Sequence, residues 1–225
     1  MELYLAVKTA KAQGVKEIIL VAPYLCYMRQ DIAFKAGQAV SQKIIGAFLG
    51  ELFDKVITVD PHLHRINKLE QAIPNTSAIA LTAAEELGNY VRNRFQNAVF
   101  LGPDEESHQW VSVVAQPGNN DFAVATKERL GDKSVKIHLP DYNFNGKTAV
   151  LVDDVISSGH TMAETAKELT SAGCKKIIAL CTHALLAPGA EELLQNNAVE
   201  QIISTDSIPH SSNQISLAKL LASVC

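Results

Sequence analysis

The feature that most constrains the fold is the segment 148–161, TAVLVDDVISSGHT. Its apolar residues 149–152 lead into two carboxylates, Asp153 and Asp154, and then into a loop of small residues ahead of a helical pattern. This order is typical of a buried parallel strand that ends at a ligand-binding edge of a sheet. Because the start of a helix attracts phosphate, the segment predicts a phosphorylated ligand. The carboxylates suit ribose hydroxyls or Mg²⁺, and capping of the next helix is their alternative role.

The rest of the chain alternates between predicted strands and helices. Strands are predicted at residues 17–22, 55–59, 78–81, 98–101, 122–126, 135–139, 149–152, 176–181 and 200–203. Helices are predicted at residues 2–13, 40–52, 82–95, 110–117, 162–169, 189–194 and 215–221, the third opened by a capping box at Thr82. The alternation predicts two α/β units, each a mainly parallel sheet flanked by helices. A turn at residues 74–76 places the boundary between units 1–77 and 78–225.

Charge and cysteine usage narrow the classes of partner. The formal net charge is −4 without a basic cluster, which argues against nucleic acid as a partner. No window approaches the ~18 unbroken apolar residues of a membrane span, and a signal-peptide pattern is lacking at Met1. The four cysteines form no CxxC pair, so reduced thiols in a cytoplasmic protein are expected.

Charged and imidazole side chains recur after the predicted strands. Arg29, in the loop that follows the first strand, could clamp a triphosphate, although a solvated loop is the alternative. His62 and His64 do not make a metal site by themselves, but with Asp104 as an oxygen ligand they favour Mg²⁺ over Zn²⁺. No Walker-type phosphate loop, dinucleotide fingerprint or nucleophile elbow occurs in the sequence.

Lys127 and Arg129 stand two positions apart near a predicted strand end. Alternate residues of an extended chain point to one side, so the two cations would share a face. Surface salt bridges are the alternative role for both side chains.

Six ordered motifs carry a resemblance to a known family. VLVDDVISSGHT resembles the phosphoribosyl-pyrophosphate loop shared by type I phosphoribosyltransferases and ribose-phosphate pyrophosphokinases. The other motifs follow the order found in ribose-phosphate pyrophosphokinases: Pro23-Tyr24 with Met28-Arg29-Gln30-Asp31, Phe34-Lys35-x-Gly37, Val59-Asp60-Pro61-His62, Gly102-Pro103-Asp104 and Lys127-Glu128-Arg129. The resemblance implies two phosphoribosyltransferase type I-like units. Since relatives carry further residues ahead of the first helix, the first unit is expected to be truncated.

The resemblance also implies an activity: transfer of diphosphate from ATP to ribose 5-phosphate with Mg²⁺, giving phosphoribosyl pyrophosphate and AMP. It places Arg29, Gln30, Asp31 and His62 at ATP, and His62 and Asp104 at Mg²⁺. It makes Lys127 and Arg129 catalytic, and assigns ribose 5-phosphate to Asp153, Asp154, Ser157, Ser158, Gly159, His160 and Thr161, where His160 replaces the family's usual glycine. A homo-oligomer, a dimer or hexamer, is expected.

Two other functions remain open on the sequence. A catalytically silent homologue could bind nucleotide or regulate a full-length partner. A phosphoribosyltransferase would consume the same activated sugar, although the Arg29-Gln30-Asp31 and Asp60-Pro61-His62 segments have no place in one.

Overall fold

The structure is a computed structural model that describes residues 1–33, 35–63, 65–92, 94–95, 97–129 and 135–225. Phe34 and His64 of the sequence motifs lie outside the described residues, as does the side chain of Arg129. The chain divides into two compact units. Residues Met1–Thr82 and Lys219–Cys225 form the N-terminal unit, and Ala83–Ala218 form the C-terminal unit.

The N-terminal unit is a three-stranded parallel sheet with helices. Its elements are α1 (Glu2–Ala12), β1 (Ile19–Val21), α2 (Ser41–Leu52), β2 (Lys55–Val59), a 3₁₀ turn (Leu69–Gln71) and β3 (Ser77–Leu81). The strand order is β1-β2-β3, with β2 in the centre and fully parallel pairing on both sides. Leu49 and Leu52 of α2 pack into the core with Val56 and Ile73, so the helix covers one face of the sheet.

The C-terminal unit is a six-stranded parallel sheet with helices and a separate antiparallel pair of strands. Its elements are α3 (Ala84–Val91), β4 (Val99–Gly102), α4 (His108–Ala115), β5 (Phe122–Val124), β6 (Thr126–Arg129), β7 (Val135–His138), β8 (Thr148–Ile156), α5 (His160–Ser171), β9 (Lys176–Ala184), α6 (Ala190–Asn196), β10 (Val199–Thr205) and β11 (Asn213–Ile215). Helix α7 (Ala218–Ala222) runs across the division between the two units. The sheet order is β11-β10-β9-β8-β4-β5, while β6 and β7 pair antiparallel.

Strand β8 is the centre of this unit because it buries both of its faces. Leu151 belongs to the apolar cluster that includes Leu169 of α5, whereas Val150 belongs to the cluster that includes Leu87 of α3 and Val111 of α4. Alternate residues of a strand point to opposite faces, so a continuous apolar run is what a doubly covered parallel strand requires. The predicted fold class, two mainly parallel α/β units, is confirmed.

Several element boundaries differ from those the sequence predicts. Strand β8 continues to Ile156, so both carboxylates lie inside it rather than after it. Lys127 lies within strand β6, and part of the last predicted helix is strand β11. Ala83, one residue after Thr82, is the N-cap of α3.

The division between the two units also falls after the predicted boundary. Strand β3 pairs along its whole length with β2, from Lys55 opposite Ser77 to Val59 opposite Leu81. The division into compact units therefore follows Thr82, whereas the sequence places it after residue 77.

Within the described ranges, no helix combines the length and the apolar character that crossing a membrane would require.

Candidate functional site

The candidate site lies at the carboxyl edge of the six-stranded sheet. Strands β4 and β8 are neighbours, with Leu101 opposite Leu151. Asp104 follows the end of β4, while Asp153 and Asp154 lie near the carboxyl end of β8. Parallel strands present their carboxyl ends at one edge, so the sheet itself gathers these carboxylates.

Lys127 of β6 contacts both Asp104, beyond the end of β4, and the start of helix α5. Its Nζ atom lies 3.4 Å from Asp104 Oδ2 and donates a hydrogen bond to Thr161 Oγ1 at 3.1 Å. The Lys127 side chain is 21% exposed and that of Asp104 is 18% exposed, so the ion pair is shielded from bulk solvent on most sides. The ammonium thus contacts both the predicted metal ligand and the predicted phosphate loop.

Asp153 and Asp154 are held by the backbone of their own strand. The Asp154 N–H donates to Asp153 Oδ1 at 3.0 Å, and the Val155 N–H donates to Asp154 Oδ1 at 2.7 Å. Removal from solvent, followed by the charges of Asp154 and Asp104, holds the pKa of Asp153 well above its usual range.

The loop that follows β8 ends in a turn that starts helix α5. Gly159 adopts φ +75° at the N-cap, a conformation that glycine permits readily, and its position makes no side-chain cap bond. The first turn of the 12-residue helix therefore keeps N–H groups available for an anion. Ser158 and His160 are exposed beside it.

A 3₁₀ turn fixes the backbone that carries Asp104. Asp104 is the N-cap of Glu105–Ser107, and the buried Ser107 hydroxyl donates to the Asp104 carbonyl oxygen. The same hydroxyl approaches Gly102 so closely that a Cβ atom there would lie 2.2 Å from Ser107 Oγ. A side chain at this strand end would therefore have to displace the Ser107 hydroxyl, which holds the turn that carries Asp104.

The carboxylates of this edge suit a hard cation. Asp104 and Asp154 are close enough to Asp153 to raise its pKa, so this edge carries excess negative charge. Among the described residues there is no cluster of three or more His, Cys, Asp or Glu side chains with metal-binding geometry. Mg²⁺ usually takes one or two carboxylates, several waters and substrate phosphates, so the donor set fits this ion.

In the N-terminal unit, the predicted nucleotide-binding loop is tied down by side-chain contacts. The Gln30 amide donates to the Ala39 carbonyl oxygen at 2.7 Å and accepts a hydrogen bond from the Ser41 hydroxyl. Asp31 is 4% exposed, and both of its carboxylate oxygens accept hydrogen bonds from Arg65 Nη1, at 2.7 and 2.8 Å. These contacts hold the loop while the Arg29 side chain is exposed.

His62 follows a strained residue at the carboxyl end of β2. Asp60 is buried and adopts φ +38°, which is uncommon for a residue other than glycine, and its N–H donates to the Leu81 carbonyl oxygen at 2.8 Å. Such strain often marks functional sites. His62 itself is half-buried.

The sequence reasoning did not identify Arg65 as a functional candidate. Arg65 stands 34 positions from Asp31, and only the folding of the N-terminal unit brings them together. The sequence signal that could have identified Arg65 is its position three residues after His62, in a charged segment that follows a predicted strand.

Comparisons with known proteins identify the family of this chain. A family model described as the phosphoribosyl synthetase-associated domain matches residues 88–223, and one for the N-terminal domain of ribose phosphate pyrophosphokinase matches residues 1–52. The ribose-phosphate pyrophosphokinase of Methanopyrus kandleri is 36% identical over 95% of this chain and 72% of its own length. Ribose-phosphate pyrophosphokinase 2 of Archaeoglobus fulgidus is 34% identical over 90% of this chain and 72% of its own.

A solved structure supports the same fold. The crystal structure of phosphoribosylpyrophosphate synthetase from Mycobacterium smegmatis matches with a TM-score of 0.81 and 22% identity, covering 97% of this chain and 74% of that one. The high structural similarity at low identity indicates a shared arrangement of strands and helices.

Proposed function

The chain belongs to the ribose-phosphate pyrophosphokinase family, and we propose that it transfers diphosphate from ATP to ribose 5-phosphate. In this reaction the anomeric hydroxyl oxygen of the sugar attacks the β-phosphorus of ATP. The bond between that phosphorus and the α,β-bridging oxygen breaks, so AMP leaves and phosphoribosyl pyrophosphate forms. The hydroxyl proton passes to solvent. No protein nucleophile is needed, and positioning and charge stabilisation provide the catalysis.

The observation that carries the proposal is the position of Lys127. Its ammonium lies between Asp104 and the first turn of α5, at 3.4 Å from Asp104 Oδ2 and 3.1 Å from Thr161 Oγ1. A cation there faces the point where a diphosphate would meet a sugar bound at the start of α5. Fixed positive charge aimed at phosphoryl oxygens stabilises the charge that develops during transfer. Arg129, two positions further along β6, is proposed to act with it.

Ribose 5-phosphate is proposed to lie over the β8–α5 loop. The N–H groups at the start of α5 and the hydroxyls of Ser157, Ser158 and Thr161 would donate to the 5-phosphate, with Gly159 and His160 at the turn. The carboxylates of Asp153 and Asp154 would accept hydrogen bonds from the ribose hydroxyls. Since hydroxyl donors stabilise a carboxylate, sugar binding would lower the pKa of Asp153 from its raised value.

Asp104 is proposed as a Mg²⁺ ligand, and His62 is likewise proposed as a metal-binding residue. The Asp104 carboxylate and the neighbouring carboxylates at the carboxyl edge of the six-stranded sheet fit the ion. A histidine can bind a metal ion directly or hydrogen-bond one of its water ligands. When bound with ATP, Mg²⁺ supplies charge neutralisation at the phosphate oxygens. Asp104 is pre-oriented for this role by its hydrogen-bonded 3₁₀ turn.

ATP is proposed to bind the loop that contains Arg29, Gln30 and Asp31, together with His62. The exposed Arg29 guanidinium would contact the phosphates, for which its planar donor geometry is suited. The contacts of Gln30 with Ser41 and of Asp31 with Arg65 support a role in holding this loop in shape.

The proposal is tested by incubating the protein with ATP, ribose 5-phosphate and Mg²⁺ and following AMP and phosphoribosyl pyrophosphate by ³¹P NMR. AMP that forms only when ribose 5-phosphate is present is the expected result. Without AMP, saturable binding of ribose 5-phosphate would instead indicate a catalytically silent homologue. Release of pyrophosphate from phosphoribosyl pyrophosphate on addition of a nucleobase would indicate a phosphoribosyltransferase.

A further inference from the structure

A polar cleft of about 660 Å³ lies at the amino edge of the six-stranded sheet. Its lining includes Ala98, Asp121, Thr148 and Lys175, which stand at or immediately before the first residues of β4, β5, β8 and β9. These four strands are adjacent in the order β9-β8-β4-β5. The cleft therefore crosses the amino ends of four neighbouring strands, at the edge opposite Asp104 and Asp153. At ~3.3 Å per residue, about 17 Å of β8 separates Thr148 from Asp153.

The charge of this cleft is opposite to that of the whole chain. Three cationic side chains, Arg92, Lys147 and Lys175, line it against one carboxylate, Asp121, which gives 3 − 1 = +2. The formal net charge of the chain is −4. Within the described ranges, neither Arg92 nor Lys175 takes part in a salt bridge, and both are exposed. An excess of cationic side chains over carboxylates in one cleft favours an anion.

One wall of the cleft is already ordered by side-chain contacts. The Tyr142 hydroxyl donates to Asp121 Oδ2 at 2.8 Å, and Lys147 Nζ contacts that hydroxyl and lies 4.3 Å from the centre of the Tyr142 ring. Asp121 is thus engaged by a neutral tyrosine rather than by a lysine. Within the described residues Lys147 forms no salt bridge, because the Tyr142 hydroxyl stands between its ammonium and Asp121.

The lining of the cleft also contains an amide with unused hydrogen-bonding capacity. The Nδ2 atom of Asn120 is buried and has no hydrogen-bond partner among the residues that the structure describes. The side chain packs so tightly over Gly118 that a Cβ atom there would lie 2.1 Å from Nδ2. A buried donor without a partner lowers the stability of the folded protein. If the Asn120 side chain turns into the cleft, a ligand that supplies an acceptor to Nδ2 would therefore bind more tightly.

We propose that this cleft binds a small anion that carries a diphosphate group, at a site separate from the one at the carboxyl edge. Its volume falls in the range of ~300–1,000 Å³ that is usual for small-molecule sites and exceeds what one phosphate would fill. Arg92, Lys147 and Lys175 supply charged donors to phosphate oxygens, and Asn120 would supply a neutral one once its side chain turns into the cleft. Free diphosphate and the diphosphate of a nucleotide share this chemistry.

A site-resolved titration tests the proposal. The ¹⁵N-labelled protein is titrated with inorganic pyrophosphate, and separately with uridine diphosphate, against sodium chloride at matched ionic strength. We expect saturable shifts of the backbone amides of Gly118, Asn120, Gly146 and Lys175. Tighter binding of uridine diphosphate would identify a nucleotide as the ligand, and equal or weaker binding would identify free diphosphate. Shifts that do not exceed those in sodium chloride would overturn the site.

Variants separate this cleft from the carboxyl-edge site. Lys175→Glu is expected to weaken pyrophosphate binding at the amino edge at least tenfold and to leave the shifts of residues 157–161 in place. Lys167→Glu makes the same charge change at an exposed position of α5 and is expected to leave both sites intact. If Lys175→Glu fails to fold, Arg92→Gln serves instead, with a loss of threefold or more. Equal affinity in the folded cleft variant and in Lys167→Glu would contradict the proposal, whatever the outcome of the AMP assay.

Discussion

Lys127 and Asp104, which lie 23 positions apart in the sequence, form an ion pair with 3.4 Å between Nζ and Oδ2. The same ammonium donates to Thr161 at the start of α5. One lysine thus contacts the proposed metal ligand and the proposed phosphate loop before either ligand is present. Under the proposed function, the Lys127 ammonium leaves Asp104 and Thr161 when the substrates bind and contacts their phosphate oxygens instead.

Substitution Lys127→Ala is expected to lower turnover by about 10²–10³-fold, because one fixed positive charge at the transferred group is lost. Binding of ribose 5-phosphate is expected to stay within a factor of three, since the β8–α5 loop keeps its own donors. AMP formation and calorimetric binding of ribose 5-phosphate measure the two effects. Lys167→Ala, at an exposed lysine of α5, is the matched control. Unchanged turnover in Lys127→Ala would remove this residue from the mechanism.

The same substitution is expected to strengthen binding of a divalent cation in the absence of nucleotide. Lys127 neutralises Asp104 in the ligand-free protein, so its removal leaves the carboxylate available. Titration with Mn²⁺, followed by its electron paramagnetic resonance signal, is expected to show about threefold to tenfold tighter binding. This factor corresponds to the free energy of a partly exposed ion pair, which the cation no longer has to break. Asp104→Asn is expected to weaken the same binding. Weaker binding in Lys127→Ala would show that Asp104 is not the cation ligand.

Local sequence pattern was sufficient to predict the strand, loop and helix around Asp153, because an apolar run, a glycine and a helical period are read from neighbouring residues. It was not sufficient for the end of β8. Parallel pairing with β9, Val155 opposite His183 and Ile156 opposite Ala184, extends the strand through its charged residues. Polarity predicts a loop there, and only the neighbouring strand overrides it.

The partners of the site residues were equally inaccessible to sequence reasoning. Lys127 was identified as a candidate, but its contact with Thr161 spans 34 positions and depends on how the β6–β7 strand pair lies beside α5. Arg65 was missed because its partner Asp31 is also 34 positions away. Contacts of this range result from tertiary packing, which one sequence does not encode in any local period.

Stability of the ligand-free protein is expected to depend on pH through Asp153. The pKa of this carboxyl is raised in the folded state by burial and by Asp154 and Asp104, so its ionisation costs more in the folded than in the unfolded chain. Its contribution is therefore fully present below the ordinary carboxyl pKa and is lost as pH rises through the raised value.

Asp153→Asn removes this ionisation while keeping an Oδ1 acceptor for the Asp154 N–H. We expect the variant to be more stable than the parent at pH 7, and the difference to vanish in acid. Urea denaturation over a series of pH values measures it, with the exposed Asp141→Asn as control. A difference that grows as pH falls would have the wrong sign.

Helix α2 is expected to tolerate no side chain at Gly46. A Cβ atom there would lie 1.8 Å from the Ala72 carbonyl oxygen, a backbone atom that cannot move alone. Helix propensity favours Gly46→Ala by about 1 kcal/mol, but overpacking of this kind costs typically ~1–3 kcal/mol or more. We expect a net loss of about 2 kcal/mol in the N-terminal unit, measured by hydrogen exchange of the β2 amides. Ala47→Leu, on the exposed side of the same helix, is expected to stay within about 0.5 kcal/mol.

The pair formed by Asp31 and Arg65 is expected to support both stability and ATP binding. Asp31 is 4% exposed and Arg65 is 46% exposed, so one partner is a buried charge and the other is partly solvated. Breaking a fully buried ion pair lowers the free energy of unfolding by ~3–5 kcal/mol. Because Arg65 is partly solvated, we expect Arg65→Met to lower it by only about 1–3 kcal/mol. Because Asp31 holds the loop that carries Arg29, the KM for ATP is expected to rise severalfold while the KM for ribose 5-phosphate is unchanged. Lys43→Met, at an exposed position of α2, is the control for loss of a positive charge in this unit. Equal changes of both KM values would indicate a general loss of structure rather than displacement of this loop.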